Sequence, residues 1–359
     1  MPSLSEAYRT HPVHVQHKHP DLNSLQELPE SYTWTHTNLD DDHTSNNCGE
    51  SVPVIDLNDP NASKMIGHAC KTWGVYQVVN HSIPMKLLHD IQRVGETLFS
   101  LPSHQKHKAA RSPDGVSGYG LARISCFFPK LMWSEGFTII GSPLDHFRQL
   151  WPQEYHKYCD IVTQYDETMK KLARKLMWLT LDSLGITKEE LKWFGSKTCA
   201  ALQLNSYPTC PDPDRAMGLA AHTDSTLLTI LHQNNISGLQ VHRKGAGWVT
   251  VQPISGGLVV NVGDLLHILS NGSYPSVLHR VMVNRVQQRL SVAYLCGPPP
   301  NVEICPHPKL VGPNQPPLYR AVTWNEYLGA KAKHFNKALS TVRLISGLFD
   351  VNNNTEQVG

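Results

Sequence analysis

A histidine and an aspartate two positions apart, His222-Thr223-Asp224, constrain this chain more than any other feature, together with a distant His279 and the pair Arg289-Leu290-Ser291. Two imidazoles and one carboxylate are a ligand set for a divalent metal ion that leaves adjacent coordination positions open. On an extended strand, side chains two apart leave the same face, so His222 and Asp224 can grip one ion while Thr223 points away. The third ligand must come from elsewhere, and His279 lies in Val277–Val283, a stretch rich in strand-forming residues. The fold must therefore bring two strand segments together around one ion.

Arg289 and Ser291 repeat the two-residue spacing on the next candidate strand. A planar guanidinium fork and a hydroxyl suit a carboxylate held at the back of a pocket. A metal site with open positions and a carboxylate anchor one strand away together describe an iron- and 2-oxoglutarate-dependent oxygenase. A His-x-Asp pair alone says little in a chain with 20 histidines. Zinc also accepts two histidines and a carboxylate, but it would leave Arg289 and Ser291 without a task.

The remaining sequence bounds the setting. At 359 residues the chain has ample length for a sizeable core, as one large domain or two smaller ones. A formal net charge of +2 and 17% charged residues provide no basic stripe, so nucleic acid is not an expected partner. Met1 to Gln16 lack the apolar core of a signal peptide, and no apolar run approaches the ~20 residues that span a bilayer. The expectation is a soluble, cytoplasmic protein with no membrane association and no obligate protein partner. The eight cysteines form no Cys-x-x-Cys pair and read as reduced, mostly buried small hydrophobes.

Residues 1–50, with His11, His14, His17, His19, His36 and His43, read as a polar, flexible leader rather than a metal-binding tract. Residues 51–195 read as an N-terminal region of helices, short strands and substrate loops. Asp59-Pro60 opens a helix that ends at Gly74, a strand covers Val75–Asn80, and a second helix runs from Pro84 to about Leu101. His81 reads as a loop residue rather than a ligand. From Asp114 to Pro152 the pattern is too irregular for a regular core element. Tyr158, Val162, Tyr165, Met169, Leu172, Leu176 and Leu179 then recur at helical spacing within a helix over about 153–184. Thr187 with Glu190 marks a short helix after it.

From about Lys197 the period becomes alternating. Strands are expected at Leu202–Tyr207, Leu227–His232, Gly238–His242, Trp248–Gln252, Leu258–Val262, Leu265–Leu269, Val277–Val283 and Arg289–Leu295. Positive-φ turns are expected at Gly263-Asp264 and Asn271-Gly272. Short strands so spaced predict a sandwich or jelly-roll core over 196–300, followed by a C-terminal strand and helix extension over 301–359, with Thr323 and Glu326 capping the last helix.

With these segments in view, the chain after residue 50 resembles the plant 2-oxoglutarate- and Fe(II)-dependent dioxygenases. The resemblance rests on Val52-Pro53-Val54-Ile55-Asp56, Ala69–Gly74, Asn80-His81, Asn205–Pro211, His222-Thr223-Asp224, His279-Arg280-Val281 and Arg289-Leu290-Ser291. Within that family, Gly118–Ile124, Met132–Ile139, Gly141-Ser142-Pro143 and Leu150-Trp151-Pro152 are similar to the gibberellin 3-beta-dioxygenases. Ser206 departs from many relatives, which carry a tyrosine there.

The resemblance implies an α+β, mostly β fold: a double-stranded β-helix core flanked by helices, with a helical-plus-strand N-terminal region. It implies that His222, Asp224 and His279 hold Fe(II), that Arg289 and Ser291 take the distal carboxylate of 2-oxoglutarate, and that Tyr207 helps. Asn205 matches a family asparagine near the metal. O2 is the second cosubstrate and ascorbate a supporting reductant, and the substrate is a small gibberellin hydroxylated at the 3β position. A buried strand tyrosine is the alternative for Tyr207. Arg123 is a candidate for the substrate carboxylate, with a surface ion pair as its alternative. Trp133, Phe137 and Trp151 are candidate pocket walls, with core packing as theirs. A sister oxidase acting on another carbon or metabolite, and a hormone-binding jelly roll with a structural metal, stand as rival functions.

Overall fold

Alternation between two facing sheets organises the second half of the chain, as seen in a computed structural model that describes residues 21–34, 51–113, 115–191, 193–194 and 199–344. Strands β5 (Cys199–Tyr207), β7 (Leu228–Gln233), β10 (Leu258–Val262) and β12 (Arg289–Gly297) lie in the larger sheet. Strands β6 (Met217–His222), β8 (Leu239–Arg243), β9 (Gly247–Thr250) and β11 (His279–Met282) make the smaller one. The chain passes from one sheet to the other at nearly every strand, the winding of a double-stranded β-helix. Of the expected strands, Leu265–Leu269 is instead a helix, Asp264–Leu269, with Leu265, Leu266, Ile268 and Leu269 buried. A short run that is apolar all round carries no period to separate the two states.

Residues before the core extend the larger sheet at both edges. Its order is β1-β2-β10-β7-β12-β5-β4-β3, with β1 at Val54–Asp56, β2 at Val75–Val79, β3 at Gly118–Gly120 and β4 at Glu135–Ile139. The irregular stretch expected over 114–152 thus contains a fully buried strand, β4, paired along its length with β5. Its pattern was obscured because both faces are covered. Glu135 and Thr138 are buried polar residues there, and Oε1 of Glu135 accepts from Lys106 Nζ at 2.7 Å and from the Tyr119 hydroxyl, while Oε2 has no hydrogen-bond partner among the described residues. This buried ion pair pins the β3–β4 hairpin.

Helices cover the outer face of the larger sheet. Met85–Phe99 buries Leu87, Leu88, Ile91, Val94 and Leu98, and a Cβ at its Gly95 would lie 3.5 Å from Leu290 and 3.7 Å from Leu204. The 28-residue helix Tyr155–Asp182 packs the expected stripe inward, from Tyr158 to Leu176. The helix Ala62–Thr72 starts two residues after Pro60 and ends at Gly74, whose φ of +68° fits a left-handed cap. His81 bonds the Gly256 carbonyl at 2.7 Å, as a loop histidine does. Glu190 reaches back to the Thr187 amide, but only a turn follows. Of the two expected positive-φ turns, Asn271-Gly272 has it, with φ of 50° and 78°, and Gly263 is extended at −94°.

Two further expectations change. The leader histidines lie outside the described residues, but residues 21–34 are packed: Leu22, Tyr32 and Trp34 are buried, and Trp34 Nε1 donates to the Leu131 carbonyl. The seven cysteines among the described residues are all free thiols, yet only Cys70, Cys210 and Cys296 are buried. No helix among the described residues is long and apolar enough to cross a membrane.

The last long helix, Trp324–His334, is capped by Thr323 Oγ1, which accepts from the Glu326 amide, and it docks through Trp324 onto the end of β12. A Cβ on Gly297 would come within 2.2 Å of the Trp324 ring. Gly297→Ala is therefore expected to cost about 1–3 kcal/mol of stability, the usual price of overpacking. Urea unfolding checks this; an unchanged midpoint would show that the helix moves aside freely.

Candidate metal and cosubstrate site

Antiparallel pairing of β11 with β6 sets His279 directly opposite His222. His222 is the last residue of β6 and Asp224 lies just beyond the strand, so the His-x-Asp pair straddles the strand end rather than sitting wholly on it. One ligand atom from each of His222, Asp224 and His279 lies within 4.8 Å of the others. Asp224 Oδ1 stands 3.7 Å from His222 Nε2 and 3.8 Å from His279 Nε2, too far for hydrogen bonds and spaced as ligands around an ion are.

The imidazoles are oriented from behind. Nδ1 of His222 faces the Ala220 carbonyl at 2.8 Å and Nδ1 of His279 faces that of Val277 at 3.2 Å. A carbonyl only accepts, so each Nδ1 carries the proton and each Nε2 presents a lone pair to the centre. Burial, with the second imidazole next in effect, pushes His222 down to about 3, keeping it neutral. Burial alone would raise the Asp224 carboxyl, but His279, His222, Thr229 and Lys331 outweigh it and hold it below the ordinary carboxylate value. Asp224 Oδ2 is buried with no hydrogen-bond partner among the described residues. Imidazoles whose Nδ1 is turned to a backbone carbonyl, an ionised carboxylate and an orphaned carboxylate oxygen fit a bound divalent ion.

β12 against β5 places Arg289 opposite Tyr207 and Ser291 opposite Asn205. Arg289 is only 1% exposed, its guanidinium carbon 5.1 Å from the centre of the Tyr207 ring. Its Nη2 donates to Gln233 Oε1 at 2.6 Å, while Nε and Nη1 have no partner among the described residues. Desolvation depresses the Arg289 pKa and raises that of Tyr207. A buried cation with two unsatisfied nitrogens is costly unless an anion completes it.

A cavity of about 290 Å³ joins these groups. Arg289, Ser291 and Tyr207 line it, as do the triad and Asn205, whose Oδ1 accepts from Gln203 Nε2 at 3.0 Å. Arg123, half-buried at the start of the turn Arg123–Phe127, lines it too. Trp133 and Phe137 do not, and this corrects their reading as pocket walls. Alternation along β4 turns Phe137 toward Phe147 and His146 on the helical side, while Thr138 and Ile140 take the cavity side. Trp133 stacks edge-on against Tyr32 at 5.3 Å, and Trp151 packs on Phe147 and Tyr158. Sequence reading missed Arg111, Gln203 and the C-terminal wall of Leu328, Lys331 and Phe335.

Comparison with known proteins matches this geometry. The model of the 2OG-Fe(II) oxygenase superfamily matches residues 198–298, and that of the non-haem dioxygenase in morphine synthesis N-terminal region matches 52–154. Gibberellin 3-beta-dioxygenase 1 of Pisum sativum is 76% identical over 377 residues, covering 100% of both chains. The chain belongs to the gibberellin 3-beta-dioxygenase family of 2OG-Fe(II) oxygenases. Gibberellin 3-beta-dioxygenase 1 of Arabidopsis thaliana is 58% identical, covering 95% of this chain and 98% of its own. Among solved structures, JOX2 in complex with 2OG, Fe and JA superposes with a TM-score of 0.77 at 29% identity, over 90% of this chain and 95% of that one. The rice dioxygenase for auxin oxidation gives 0.69 at 26% identity, over 82% and 100%. As a family member the chain is a 2-oxoglutarate-dependent dioxygenase with a jelly-roll core, using Fe(II) and 2-oxoglutarate.

The Arg289–Gln233 contact gives a test of the anchor pocket without touching the triad. Gln233→Leu strips a third donor of its partner, and about 1–3 kcal/mol of stability should be lost. Saturating 2-oxoglutarate should restore part of that loss. Thermal unfolding with and without the cosubstrate reads both, and a wild-type melting curve would show that Gln233 is dispensable.

Proposed function

We propose that this chain 3β-hydroxylates gibberellins, converting precursors to bioactive forms, with His222, Asp224 and His279 as the iron ligands. One observation carries the reaction class: a single cavity is lined by the triad, a buried guanidinium, apolar side chains and Arg123. The choice of substrate is supported by relatives named for it that are 76% and 58% identical over nearly the whole chain.

Bound iron supplies the O2 chemistry by which 2-oxoglutarate becomes succinate and CO2 while a substrate C–H becomes C–OH. The protein supplies orientation and a dry site. Arg289 and Ser291 take the far carboxylate of 2-oxoglutarate, with the Tyr207 ring stacked beside the guanidinium to fix its plane. Asn205, directly opposite Ser291 on the paired strand, lines the same cavity as Arg289 and the triad. Within the same cavity Ile124, Leu121, Ile140 and Leu328 offer an apolar surface for a rigid diterpenoid, and Arg123 takes its carboxylate. Placement must be tight, since an error near 1 Å can cost on the order of 100-fold. Such placement selects the ring carbon attacked. We place the enzyme in the cytoplasm, with ascorbate supporting turnover and no partner beyond its small molecules needed.

Purified protein given Fe(II), 2-oxoglutarate, ascorbate, O2 and a panel of gibberellins should yield 3β-hydroxylated products by mass spectrometry. Hydroxylation solely at another carbon would assign it to a sister oxidase, and 2-oxoglutarate-independent binding alone would make it a receptor. Arg289→Lys keeps charge but loses the fork, so the KM for 2-oxoglutarate should rise about one to two decades, the equivalent of roughly 1.5–3 kcal/mol. An unchanged KM would remove the anchor role. Arg123→Met should raise the gibberellin KM, leave that for 2-oxoglutarate alone, and increase succinate formed per hydroxylated product. A surface ion pair would change binding by no more than about 1 kcal/mol and leave that ratio untouched.

A further inference from the structure

The turn that carries Asp224 is held from outside the two sheets. Lys331, on the last long helix, donates from Nζ to the Thr223 carbonyl at 2.9 Å and to Thr223 Oγ1 at 2.6 Å. The same ammonium lies 2.9 Å from Asp264 Oδ2, with the Lys331 side chain 12% exposed and that of Asp264 fully buried. Asp264 also accepts from Thr223 Oγ1 at 3.2 Å and from the Tyr327 hydroxyl at 2.7 Å. Its own amide donates to the Asp224 carbonyl at 2.7 Å. The peptide between the two ligands of the His-x-Asp pair is therefore gripped on one side by an ammonium and on the other by the start of the helix Asp264–Leu269.

We propose that Lys331, paired with Asp264, is a positioning residue for the metal centre: it fixes the Thr223 peptide and through it the aim of the Asp224 carboxylate. This rests on the reading of His222, Asp224 and His279 as iron ligands. A buried Lys–Asp pair has a desolvation penalty that an apolar pair of similar volume would avoid, so stability alone is a weak reason for it. Its geometry is specific. Three of the four polar contacts of this ammonium and carboxylate with other residues fall on Thr223, and the fourth, from Tyr327, comes from the helix that carries Lys331. Lys331 also lines the cavity with Leu328 and Phe335. The helix that walls the substrate space thus also steadies the turn that presents Asp224.

Lys331→Met alone would strand a buried carboxylate, so the variant of choice is Lys331→Met with Asp264→Asn, which removes both charges. Co(II) serves as a spectroscopic probe, titrated into the full-length metal-free protein, with His222→Ala as control. The expected result is a Co(II) Kd about tenfold weaker than wild type, with altered visible bands and retained cooperative thermal unfolding. Lys331→Arg is the second variant should the double one not fold. Its planar fork keeps the charge beside Asp264 but cannot occupy the same point among three oxygens, so the same loss is expected. A purely structural pair would lower the melting temperature and leave the Co(II) Kd within about twofold of wild type, against the roughly tenfold expected of a positioning group; that result in a folded variant overturns the proposal. Wild-type protein that binds Co(II) no better than His222→Ala would instead overturn the iron reading beneath it.

Discussion

Two antiparallel registers fix everything the site does. His279 opposite His222 on β11 and β6, and Arg289 opposite Tyr207 on β12 and β5, bring together residues far apart in sequence. A slip of one residue in either ladder would turn the functional side chain to the opposite face of its sheet, since strand side chains alternate. The β11–β6 ladder contains irregularities after His279, where the pairing shifts before Val281 and again before Met282. Bulges of this kind re-aim side chains beside active sites. β12, by contrast, is paired along its length with β5 and along much of it with β7, so Arg289 and Ser291 sit on the more continuous ladder.

Charge is placed unevenly in this interior, and the unevenness follows function. Lys106 with Glu135, and Lys331 with Asp264, are buried pairs whose partners are inside the protein. Arg289 and Asp224 are different. Neither meets a Lys, Arg, Asp or Glu side chain of opposite charge within 4 Å among the described residues, and both line the same cavity. The structural pairs meet their opposite charge within the fold, although Glu135 Oε2 and Asp264 Oδ1 accept no hydrogen bond, whereas Arg289 and Asp224 meet no such charge among the described residues. An isolated buried charge is tolerable only if something arrives to complete it. The two open charges have opposite sign, and so do their complements, a cation at Asp224 and an anion at Arg289.

The jelly roll and the metal triad were legible because their signals are local and repetitive. Short strand-forming runs from residue 199 onward are set apart by turn residues, and His-x-Asp is a contiguous motif. The approach of Arg289 and Ser291 to the cavity was legible for the same reason, the two being two apart on one strand. What failed lacked a period. The run Asp264–Leu269 is buried on every side and could have been strand or helix, and β4 hides among glycines and aromatics because it is covered on both faces. Misreading β4 had a direct consequence: without its register, Phe137 looked like a pocket wall, when Thr138 and Ile140 are the residues on that side.

The C-terminal contribution was illegible for a deeper reason. Lys331 sits 108 residues from Thr223, on a helix whose sequence offers only the ordinary mixture of Lys, Ala and Asn. Nothing in the spacing Tyr327-x-x-x-Lys331 distinguishes a surface pair from one that reaches a buried carboxylate, for both place two side chains on one helical face. What turns that face inward is Trp324 docking on Gly297 at the end of β12, a contact that exists only once the larger sheet has formed. Strand motifs declare ligands because the backbone itself sets their direction. Groups that steady those ligands are recruited by tertiary packing, from whichever element happens to lie against the turn. The ligands of such a site can therefore be read along the chain, while the residues that aim them become visible only after the chain has folded.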